Sequence, residues 1–392
     1  MNKENKKTAS VNVFDLLAVI IFCAVIFIGG ITTVILPDRD FSESENTTLT
    51  THEDLFSGNA LKKLFSGEMS DLAGKYFRHQ FPLRDKMLEL RALADMFLVR
   101  YETGGVIYGA DGYLIPREDN AADTYVNGNV AAVNSLSVAL EKQGVDTLFA
   151  LAPRPCDVLW DYYPSAYSHK PLERVRSLIL DNSDALDLAP VMRAAADKGE
   201  YVYYKTDHHW TTYGAYLAYC EVMNAYGIAP KAISEFEREV ASDTFYGTSH
   251  SSVMSPLAEA DTVEFFHYKN AEYMTEIANG PSFDGFYDRS FLDKKDKYSA
   301  FLGGNFGLVR VAEKGSEGRE KLLVVKDSYA NSVIPFLAIH YDLVVVDPRY
   351  YRESVYALAM EEKVSKLLVL CGTDGITDAN TYLVLNFGIP QE

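Results

Sequence analysis

The chain has 392 residues, of which 48% are hydrophobic and 23% are charged. These are the proportions of a globular protein, and they exclude a disordered chain, a collagen-like fibre and a multi-span membrane protein. Acidic residues number 55 against 37 lysines and arginines, and the resulting net charge of −18 makes sequence-independent nucleic-acid binding unexpected.

An uncharged apolar run near the N-terminus predicts a membrane-spanning helix. Residues 16–36 carry no charged side chain, and at about 1.5 Å per residue they are long enough for a hydrocarbon core of about 30 Å. Lys3, Lys6 and Lys7 precede the run, which predicts that residues 1–15 stay in the cytoplasm and the rest is exported. A cleaved signal peptide is the alternative, although no A-x-A-like site follows. We expect a single-pass anchor in the cell membrane with an extracytoplasmic body.

The exported part is predicted to be a linker followed by one large domain. Residues 37–53 are polar and indicate the linker, and residues 54–392 form the domain, which begins with a helical segment. Helical periodicity extends over residues 54–100, and Pro82 interrupts it, so a helix is expected on each side of that proline. Residues 105–115 have the glycines and the apolar pattern of a hairpin.

From residue 120 onward, helical segments alternate with short apolar runs. Helices are predicted over residues 125–142, 172–198 and 353–363, and strands over residues 145–153, 201–203, 322–326, 343–346 and 367–370. Continuous apolar strands between helices predict a parallel sheet with helices on both faces. Ligands of such sheets bind beyond the carboxyl ends of the strands, so the loops after Pro153, Lys326 and Val346 are the places to seek chemistry.

The loop after the strand at 322–326 presents a serine, in the segment Lys326-Asp327-Ser328-Tyr329. A serine at a sharp strand-to-helix turn has the amides of the helix N-terminus behind it, and those amides can hold a developing oxyanion. Ser328 is therefore a candidate nucleophile. The alternative is that Asp327 or Ser328 only caps the helix.

A second loop contains the segment Lys205-Thr206-Asp207-His208-His209-Trp210. Asp207 and His209 are two residues apart, so on an extended backbone their side chains point to the same side. A carboxylate in that position can accept the imidazole hydrogen and fix the tautomer. Trp210 is expected to pack against the imidazole ring and shield it from water, and His208 to have a packing or supporting role. A metal site formed by these residues is an alternative interpretation.

These two loops resemble the DHHW family. The segment at 205–210 contains the Asp-His-His-Trp signature, and LLVVKDSYANSVIPFL at 322–337 contains the serine turn. Further segments with the resemblance are FRHQFPLRD (77–85), YGADGYLI (108–115), FYGTSHSS (245–252), FLGGN (301–305) and VVVDPRYY (344–351). The family is similar to the alginate O-acetylation proteins and is grouped with SGNH-type hydrolases.

The resemblance implies an α/β fold of the SGNH-hydrolase type, with a flavodoxin-like parallel sheet. It also implies a permuted order of the catalytic blocks, because the Asp-x-His-Trp segment precedes the serine turn. By this pattern Asp207, His209 and Ser328 form a catalytic triad. Lys326 stands where ordinary SGNH enzymes have a glycine before the aspartate and serine.

Other candidates concern the oxyanion and the substrate. The Ser328 amide is one expected oxyanion donor, and Asn305, which follows Gly303 and Gly304, is another, because SGNH relatives use an asparagine from a separate loop. The alternative for Asn305 is a turn residue. Asn331 is a weaker candidate for the same role. Arg154, after a predicted strand end, is expected either to bind substrate or to form a surface salt bridge.

The implied chemistry is acetyl transfer through an acetyl-Ser328 intermediate, with His209 as the base. We expect an O-acetyltransferase whose acceptor is an extracellular or cell-wall polysaccharide, with no cofactor, no metal and no nucleic-acid partner. In similar systems a membrane-bound O-acyltransferase supplies the acetyl group, which makes such an enzyme a candidate partner. The alternatives are a carbohydrate esterase, a non-catalytic glycan-binding or assembly protein of the same fold, and a metal-dependent phosphoesterase.

Overall fold

The computed structural model of the chain describes residues 12–58, 60–117, 121–167, 174–269 and 271–390. The chain divides into two compact units, Met1–Ala94 and Asp95–Glu392. Most of the predicted cytoplasmic segment 1–15 lies outside the described residues, which begin at Asn12.

The first unit consists of helices and one short two-stranded ribbon. Its elements are α1 (Val13–Ile35), β1 (Phe41–Ser42), β2 (Thr47–Thr48), α2 (His52–Phe56), α3 (Ala60–Ser66), α4 (Glu68–Gln80) and α5 (Arg84–Phe97), which continues into the second unit. The predicted helices on both sides of Pro82 are α4 and α5.

Helix α1 has the length and the apolar composition of a membrane span. Its 23 residues begin at Val13, three residues before the predicted run, because the side chain of Asn12 caps the helix by accepting a hydrogen bond from the Phe14 amide. Most of its large apolar side chains are exposed. These properties are shared by membrane anchors and signal sequences.

The predicted linker at residues 37–53 packs within the first unit. The side chain of Gln80, at the end of α4, accepts a hydrogen bond from the Arg39 amide and donates to the carbonyl oxygens of Arg39 and Thr50, at distances of 2.9, 2.8 and 3.0 Å. Residues of the predicted linker thus contact α4 within the first unit, Met1–Ala94.

The second unit contains the larger part of the secondary structure. Its helices are α6 (Asp123–Glu141), α7 (Pro155–Val158), α8 (Arg174–Asp181), α9 (Ala189–Ala196), α10 (Thr212–Ala225), α11 (Thr248–Val253), α12 (Ile334–Leu337), α13 (Val355–Glu362) and α14 (Thr373–Thr377). Its strands are β3 (Glu102–Thr103), β4 (Val106–Tyr108), β5 (Leu114–Pro116), β6 (Asp146–Ala152), β7 (Leu186–Asp187), β8 (Phe236–Phe245), β9 (Asp261–Tyr268), β10 (Tyr273–Ile277), β11 (Ser282–Asp284), β12 (Leu308–Glu313), β13 (Lys321–Lys326), β14 (Asp342–Val346) and β15 (Lys366–Gly372).

Eight strands form one mixed sheet, in the order β11-β10-β12-β14-β13-β15-β6-β7. The five strands from β14 to β7 are parallel, and β12, β10 and β11 extend the sheet with antiparallel pairing. The predicted strands β6, β13, β14 and β15 are parallel as expected, β7 is an additional parallel strand, and the three antiparallel strands at one edge were not predicted. Buried and more exposed positions alternate along β10 and β12, as is usual in antiparallel strands. These two strands therefore lack the continuous apolar runs by which β6, β13, β14 and β15 were predicted.

The order of the parallel strands is a cyclically permuted form of the expected flavodoxin-like order. Numbered along the chain, the five parallel strands lie in the order 2-1-5-3-4 from β7 to β14. Counted cyclically from β13, so that β6 and β7 become the fourth and fifth strands, they lie in the order 2-1-3-4-5 from β14 to β7, which is the flavodoxin-like order. The last strand of the chain, β15, therefore lies between β6 and β13 instead of at the edge.

Helices cover both faces of the sheet, as predicted. Along β13, Leu322 and Val324 belong to one buried cluster, together with side chains of α9, α10 and α12. Leu323 and Val325 belong to a second cluster, together with side chains of α6, α8 and α13. Because both faces of this strand are buried, its sequence is continuously apolar.

Two other predicted elements differ in the structure. The predicted helix at 172–198 is two helices, α8 and α9, because β7 intervenes and pairs with β6; residues 172 and 173 lie outside the described residues. The predicted strand at 201–203 is a single bridge between Tyr203 and Trp210. The antiparallel ribbon of β8 and β9 was not predicted, because many charged and polar side chains interrupt the apolar pattern of β8.

The three loops that the sequence indicated lie at one edge of the sheet. Strands β6, β13 and β14 run parallel to one another in the same sheet, with β15 between β6 and β13, so the residues that follow them emerge at the same edge. Strand β13 leads directly into Asp327 and Ser328, and this edge is where the candidate site lies.

Candidate active site

Ser328 follows β13 and begins a 3-10 turn, Ser328–Ser332. The side chain of Asp327 caps this turn by accepting a hydrogen bond from the Tyr329 amide at 2.9 Å, and it also accepts one from the Gly372 amide at 2.7 Å. Burial raises the pKa of the Asp327 carboxyl group, and the hydrogen bond from Gly372 opposes this rise. Since Asp327 is the cap, the hydroxyl group of Ser328 is available for another partner.

That partner is His209, which links Ser328 to Asp207. Nε2 of His209 lies 2.8 Å from Oγ of Ser328, and Nδ1 lies 2.5 Å from Oδ1 of Asp207, which also accepts a hydrogen bond from the His209 amide at 2.9 Å. Asp207 and His209 are only 2% and 5% exposed. With its hydrogen on Nδ1, the imidazole has a lone pair on Nε2 that accepts the hydroxyl hydrogen. The structure thus brings together the three side chains that the sequence paired.

The second carboxylate oxygen of Asp207 is held by Thr248, at the start of α11. The amide and the hydroxyl group of Thr248 lie 2.8 and 3.0 Å from Oδ2 of Asp207. Gly247 precedes this residue, and a Cβ atom there would collide with Cβ and Oδ2 of Asp207. The segment at 245–252 was recognised in the sequence only as a resemblance, and its hydrogen bonds to Asp207 were not predicted.

The backbone before Asp207 is fixed by a buried carboxylate at the start of β9. Asp261 accepts hydrogen bonds from the amides of Lys205 and Thr206, at 2.7 and 2.8 Å, and from the Thr206 hydroxyl group at 2.5 Å. Tyr201 also donates to Asp261. No motif in the sequence indicated this residue, because its contacts depend on how the β8–β9 ribbon packs beside the loop.

Burial and the neighbouring charges shift the pKa values of the pair in defined directions. Burial alone would raise the pKa of Asp207, but the two histidines and the hydrogen bonds from His209 and Thr248 outweigh it and hold the pKa well below its usual range. The pKa of His209 is lowered to about 4, because burial and the neighbouring His208 lower it more than Asp207 raises it. At neutral pH the aspartate is therefore ionised and the imidazole of His209 is neutral.

Tyr298 covers the ring of His209, a contact that the sequence did not reveal. The two rings stack with their centroids 3.8 Å apart and an interplanar angle of 9°. The Tyr298 hydroxyl group donates to the carbonyl oxygen of Ser328 at 3.0 Å and lies 3.1 Å from Oγ of Ser332. One buried tyrosine therefore shields the imidazole and holds the serine turn. Tyr298 lies in its own 3-10 turn, far from both loops in sequence.

Trp210 has a different role from the predicted one. Its indole Nε1 donates to the carbonyl oxygen of Tyr329 and to Oγ of Ser332, each at 3.0 Å, and its ring packs edge-on against Tyr329. The tryptophan thus holds the serine turn from behind, and Tyr298 provides the shielding.

His208 stacks beside His209 at the entrance to the site. The centroids of the two rings are 3.8 Å apart, and Nδ1 of His208 lies 2.6 Å from Oγ1 of Thr248. The side chain is 29% exposed. His208 thus has the expected supporting contact, but it also reaches the surface.

Asp207, His208 and His209 form the cluster that the metal interpretation requires. One potential ligand atom from each of these residues lies within 4.8 Å of the others. However, both oxygens of Asp207 and both ring nitrogens of His209 already take part in hydrogen bonds within the protein. A metal ion would have to displace these hydrogen bonds, so the geometry fits a hydrogen-bonded chain better.

A cleft of about 240 Å³ opens at the serine. The side chains at its wall include those of Ser328, His208, Arg349, Asp374, Asp378 and Tyr382. Arg349 is paired with the buried Asp347, with 2.6 Å between Nη2 and Oδ2, whereas Asp374 and Asp378 are exposed. The reactive edge of the sheet is therefore accessible to a small or extended ligand.

The two candidate asparagines form one hydrogen-bonded group. Oδ1 of Asn305 accepts hydrogen bonds from Nζ of Lys326 at 2.7 Å and from Nδ2 of Asn331 at 3.2 Å. Lys326 is buried, and burial lowers its pKa to about 8 against the opposing effect of Asp347. Asn331 is also buried and supports the loop that carries Asn305. Lys326, the residue before Asp327 and Ser328, thus points towards Asn305.

Arg154 is neither a surface residue nor part of the wall of the cleft. It is 4% exposed, and its guanidinium group donates to both oxygens of Asp157, at 3.1 and 3.2 Å, and to Oδ1 of Asp374 at 3.3 Å. Arg154 thus forms salt bridges, as one of the two expectations has it, but they lie in a buried position, because α7 begins directly after Arg154 and brings Asp157 over it. Its contact with Asp374 connects Arg154 to the wall of the cleft.

Part of the chain is similar in sequence to a protein family and to curated proteins. The family model described as DHHW protein matches residues 165–347. The probable alginate O-acetylase AlgJ of Pseudomonas syringae pv. tomato is 28% identical over 195 residues, 47% of this chain and 49% of that protein. The protein of the same name from Pseudomonas fluorescens is 27% identical over 172 residues, 42% of this chain and 44% of that protein. The matched part thus spans about half or less of these curated relatives.

Two solved structures have a similar fold. A DHHW family protein from Eubacterium siraeum has a TM-score of 0.60 and 20% identity, covering 74% of this chain and 98% of that chain. Bacillus cereus PatB1 with a sulfonyl adduct has a TM-score of 0.58 and 20% identity, covering 71% of this chain and 97% of that chain. This chain is similar to the DHHW proteins in sequence over residues 165–347 and in fold over about three-quarters of its length. This similarity confirms the resemblance that was predicted from the two loops.

Proposed function

We propose that this protein is a serine-dependent O-acetyltransferase that acetylates an extracellular or cell-wall polysaccharide. The observation that carries the proposal is the continuous hydrogen-bonded chain from Asp207 through His209 to Ser328, which ends in an open cleft. The curated relatives named probable alginate O-acetylase support acetyl transfer to a polysaccharide as the reaction class.

In the first half-reaction, Ser328 accepts the acetyl group. Nε2 of His209 takes the hydroxyl proton while Oγ of Ser328 attacks the carbonyl carbon of the acetyl donor. Asp207 accepts a hydrogen bond from Nδ1, and the hydrogen stays on the imidazole ring. The negative charge of Asp207 stabilises the imidazolium that forms. The donor oxygen then leaves with the proton from His209, and the acetyl group remains on Ser328 as an ester.

The oxyanion of this step needs donors that are already in place. The Ser328 amide at the start of the 3-10 turn is one donor in the proposal, and Nδ2 of Asn305 is the other. Lys326 and Asn331 both donate to Oδ1 of Asn305, so the amide group is held with its nitrogen at the opposite end. This orientation supports a donor role for Asn305 and a supporting role for Asn331.

In the second half-reaction, a sugar hydroxyl group takes the place of the donor. His209 accepts its proton, the sugar oxygen attacks the acetyl carbon, and the bond to Oγ of Ser328 breaks as the serine regains the proton. Water in the same position would give acetate and make the protein a carbohydrate esterase. The two activities share every step except the identity of this acceptor.

Helix α1 is the membrane anchor in this proposal. Its apolar length suits a single span, and the lysines before it favour a cytoplasmic N-terminus with the catalytic unit outside. An anchored enzyme would act beside a membrane-bound O-acyltransferase, the proposed source of the acetyl group. The polysaccharide would meet the enzyme on the same side of the membrane.

Ser328 is expected to carry a transient acetyl group. Incubation with p-nitrophenyl acetate, followed by acid quenching and peptide mass spectrometry, should find this group on Ser328. Ser328→Ala should abolish turnover without unfolding the protein, because Asp327 is the cap of the turn. Asp207→Asn should lower the rate by a large factor, since the equivalent change in serine proteases costs about 10⁴.

The matched control for this experiment is Ser42→Ala, which removes a buried serine hydroxyl group of the first unit, outside the site. Acetyl transfer at the wild-type rate by Ser328→Ala would contradict the proposal. Turnover that instead depends on added divalent metal, and is lost equally in His208 and His209 variants, would favour the metal-dependent phosphoesterase.

The pH dependence should report the lowered pKa of His209. His209 acts as a base only when neutral, and burial places its pKa at about 4, so kcat/KM for p-nitrophenyl acetate should be present at neutral pH and fall as the pH drops through about 4. An unshifted histidine would instead give a midpoint near 6.5. Circular dichroism at each pH separates titration from acid unfolding, and a midpoint near 6.5 in folded protein would argue against this environment.

The orientation across the membrane can be measured on intact cells. Protease added outside should digest the part after α1 and spare the residues before it, because the lysines precede the apolar helix. The control is a sample with permeabilised membranes, in which both parts become accessible. Survival of the C-terminal part until permeabilisation would mean that the orientation is reversed.

A further inference from the structure

The hydroxyl group of Thr248 determines which tautomer His208 adopts. Oγ1 of Thr248 lies 3.0 Å from Oδ2 of Asp207 and 2.6 Å from Nδ1 of His208. A hydroxyl group has one hydrogen to donate. Asp207 is ionised, so a lone pair of Oγ1 facing its carboxylate oxygen would be repelled. The hydrogen therefore points to Asp207, and Oγ1 must accept a hydrogen from Nδ1 of His208.

This assignment leaves a lone pair on the other nitrogen of His208. A neutral imidazole that carries its hydrogen on Nδ1 is an acceptor at Nε2. Among the residues that the structure describes, none donates a hydrogen bond to this atom. The side chain is 29% exposed and lies at the wall of the cleft together with Ser328. A second imidazole acceptor thus stands beside the reacting serine.

We propose that Nε2 of His208 binds a second hydroxyl group of the acceptor, next to the one that attacks acetyl-Ser328. The acceptor is then a sugar with hydroxyl groups on neighbouring carbons. This inference rests on the proposed acetyltransferase function, and it identifies the feature of the acceptor that the site recognises. His208 is a substrate-binding residue in this account, and His209 remains the only base.

The balance of hydrogens requires two different hydroxyl groups. The attacking hydroxyl group gives its single proton to Nε2 of His209 as its oxygen bonds to the acetyl carbon. That proton then returns to Oγ of Ser328 when the ester bond to the serine breaks. No hydrogen of the attacking group is left for His208, so a neighbouring hydroxyl group must supply the one that His208 accepts. The two imidazole rings lie side by side, with their centroids 3.8 Å apart.

Two contacts on one molecule also favour transfer over hydrolysis. A diol that donates to His208 is held with its second oxygen near the acetyl group, which raises the effective concentration of that oxygen. A single neutral hydrogen bond of this kind corresponds to a factor of roughly three to ten in affinity. The expected effect is therefore a lower KM for the acceptor, with a smaller change in kcat.

The test compares acceptors of the same acetyl-enzyme. Wild-type protein receives acetyl from p-nitrophenyl acetate in the presence of cyclohexanediol with neighbouring hydroxyl groups, or of cyclohexanol. The ratio of acetyl ester to acetate is measured by chromatography and normalised per hydroxyl group. The diol should be preferred by roughly threefold to tenfold, through KM. His208→Phe should remove the preference, whereas His208→Gln, whose amide oxygen can accept, should retain part of it.

The matched control is His267→Gln, a partly exposed histidine on β9 that pairs with Glu239 and is not part of the wall of the cleft. It should keep the wild-type preference for the diol. Equal use of diol and mono-alcohol by the wild type would overturn the inference, whether or not the His208 variants fold. A preference that survives in His208→Phe would overturn it as well. If acetyl-Ser328 forms but is shared equally between the acceptors, only this inference fails; if it never forms, the proposed function fails.

Discussion

The hydrogen bond between Asp207 and Nδ1 of His209 is the contact on which the rest of the site depends. It places the hydrogen of the imidazole on Nδ1 and thereby leaves Nε2 as an acceptor for Ser328. It also stabilises a buried carboxylate, which would be unfavourable without partners. Because Asp207 is ionised, the hydroxyl group of Thr248 points to it, and this decides the tautomer of His208 too. One ionised carboxylate therefore sets the donor and acceptor roles of both histidines.

The surrounding structure holds this pair by contacts from distant parts of the chain. Thr248 fixes one carboxylate oxygen, Asp261 fixes the backbone before Asp207, and Tyr298 stacks on His209. Trp210 binds the serine turn from behind. Most of these groups are buried, so water competes little with their hydrogen bonds, and the imidazole remains neutral at the pH where it is proposed to act as a base. Several elements of the fold thus hold the site independently of one another.

The sequence alone revealed those parts of the protein whose signals are local. The parallel strands were visible as continuous apolar runs because both of their faces are buried, and the pairing of Asp207 with His209 followed from their spacing of two residues. The antiparallel edge was missed because the alternating pattern of β10 and β12 is weaker. Tyr298, Thr248 and the buried pairing of Arg154 could not be predicted, because each depends on which segments meet in three dimensions.

The central claim is that the acetyl group on Ser328 passes to a sugar hydroxyl group, and a single-turnover measurement on isolated acetyl-enzyme tests it most directly. The acetylated protein is freed of donor, mixed with a neutral oligosaccharide, and followed by mass spectrometry of protein and sugar together. The account predicts that the acetyl group leaves Ser328 and appears on the sugar with the same rate constant, and that raising the oligosaccharide concentration speeds both until they saturate. Loss of the acetyl group at a rate independent of the sugar, with acetate as the only product, would contradict it.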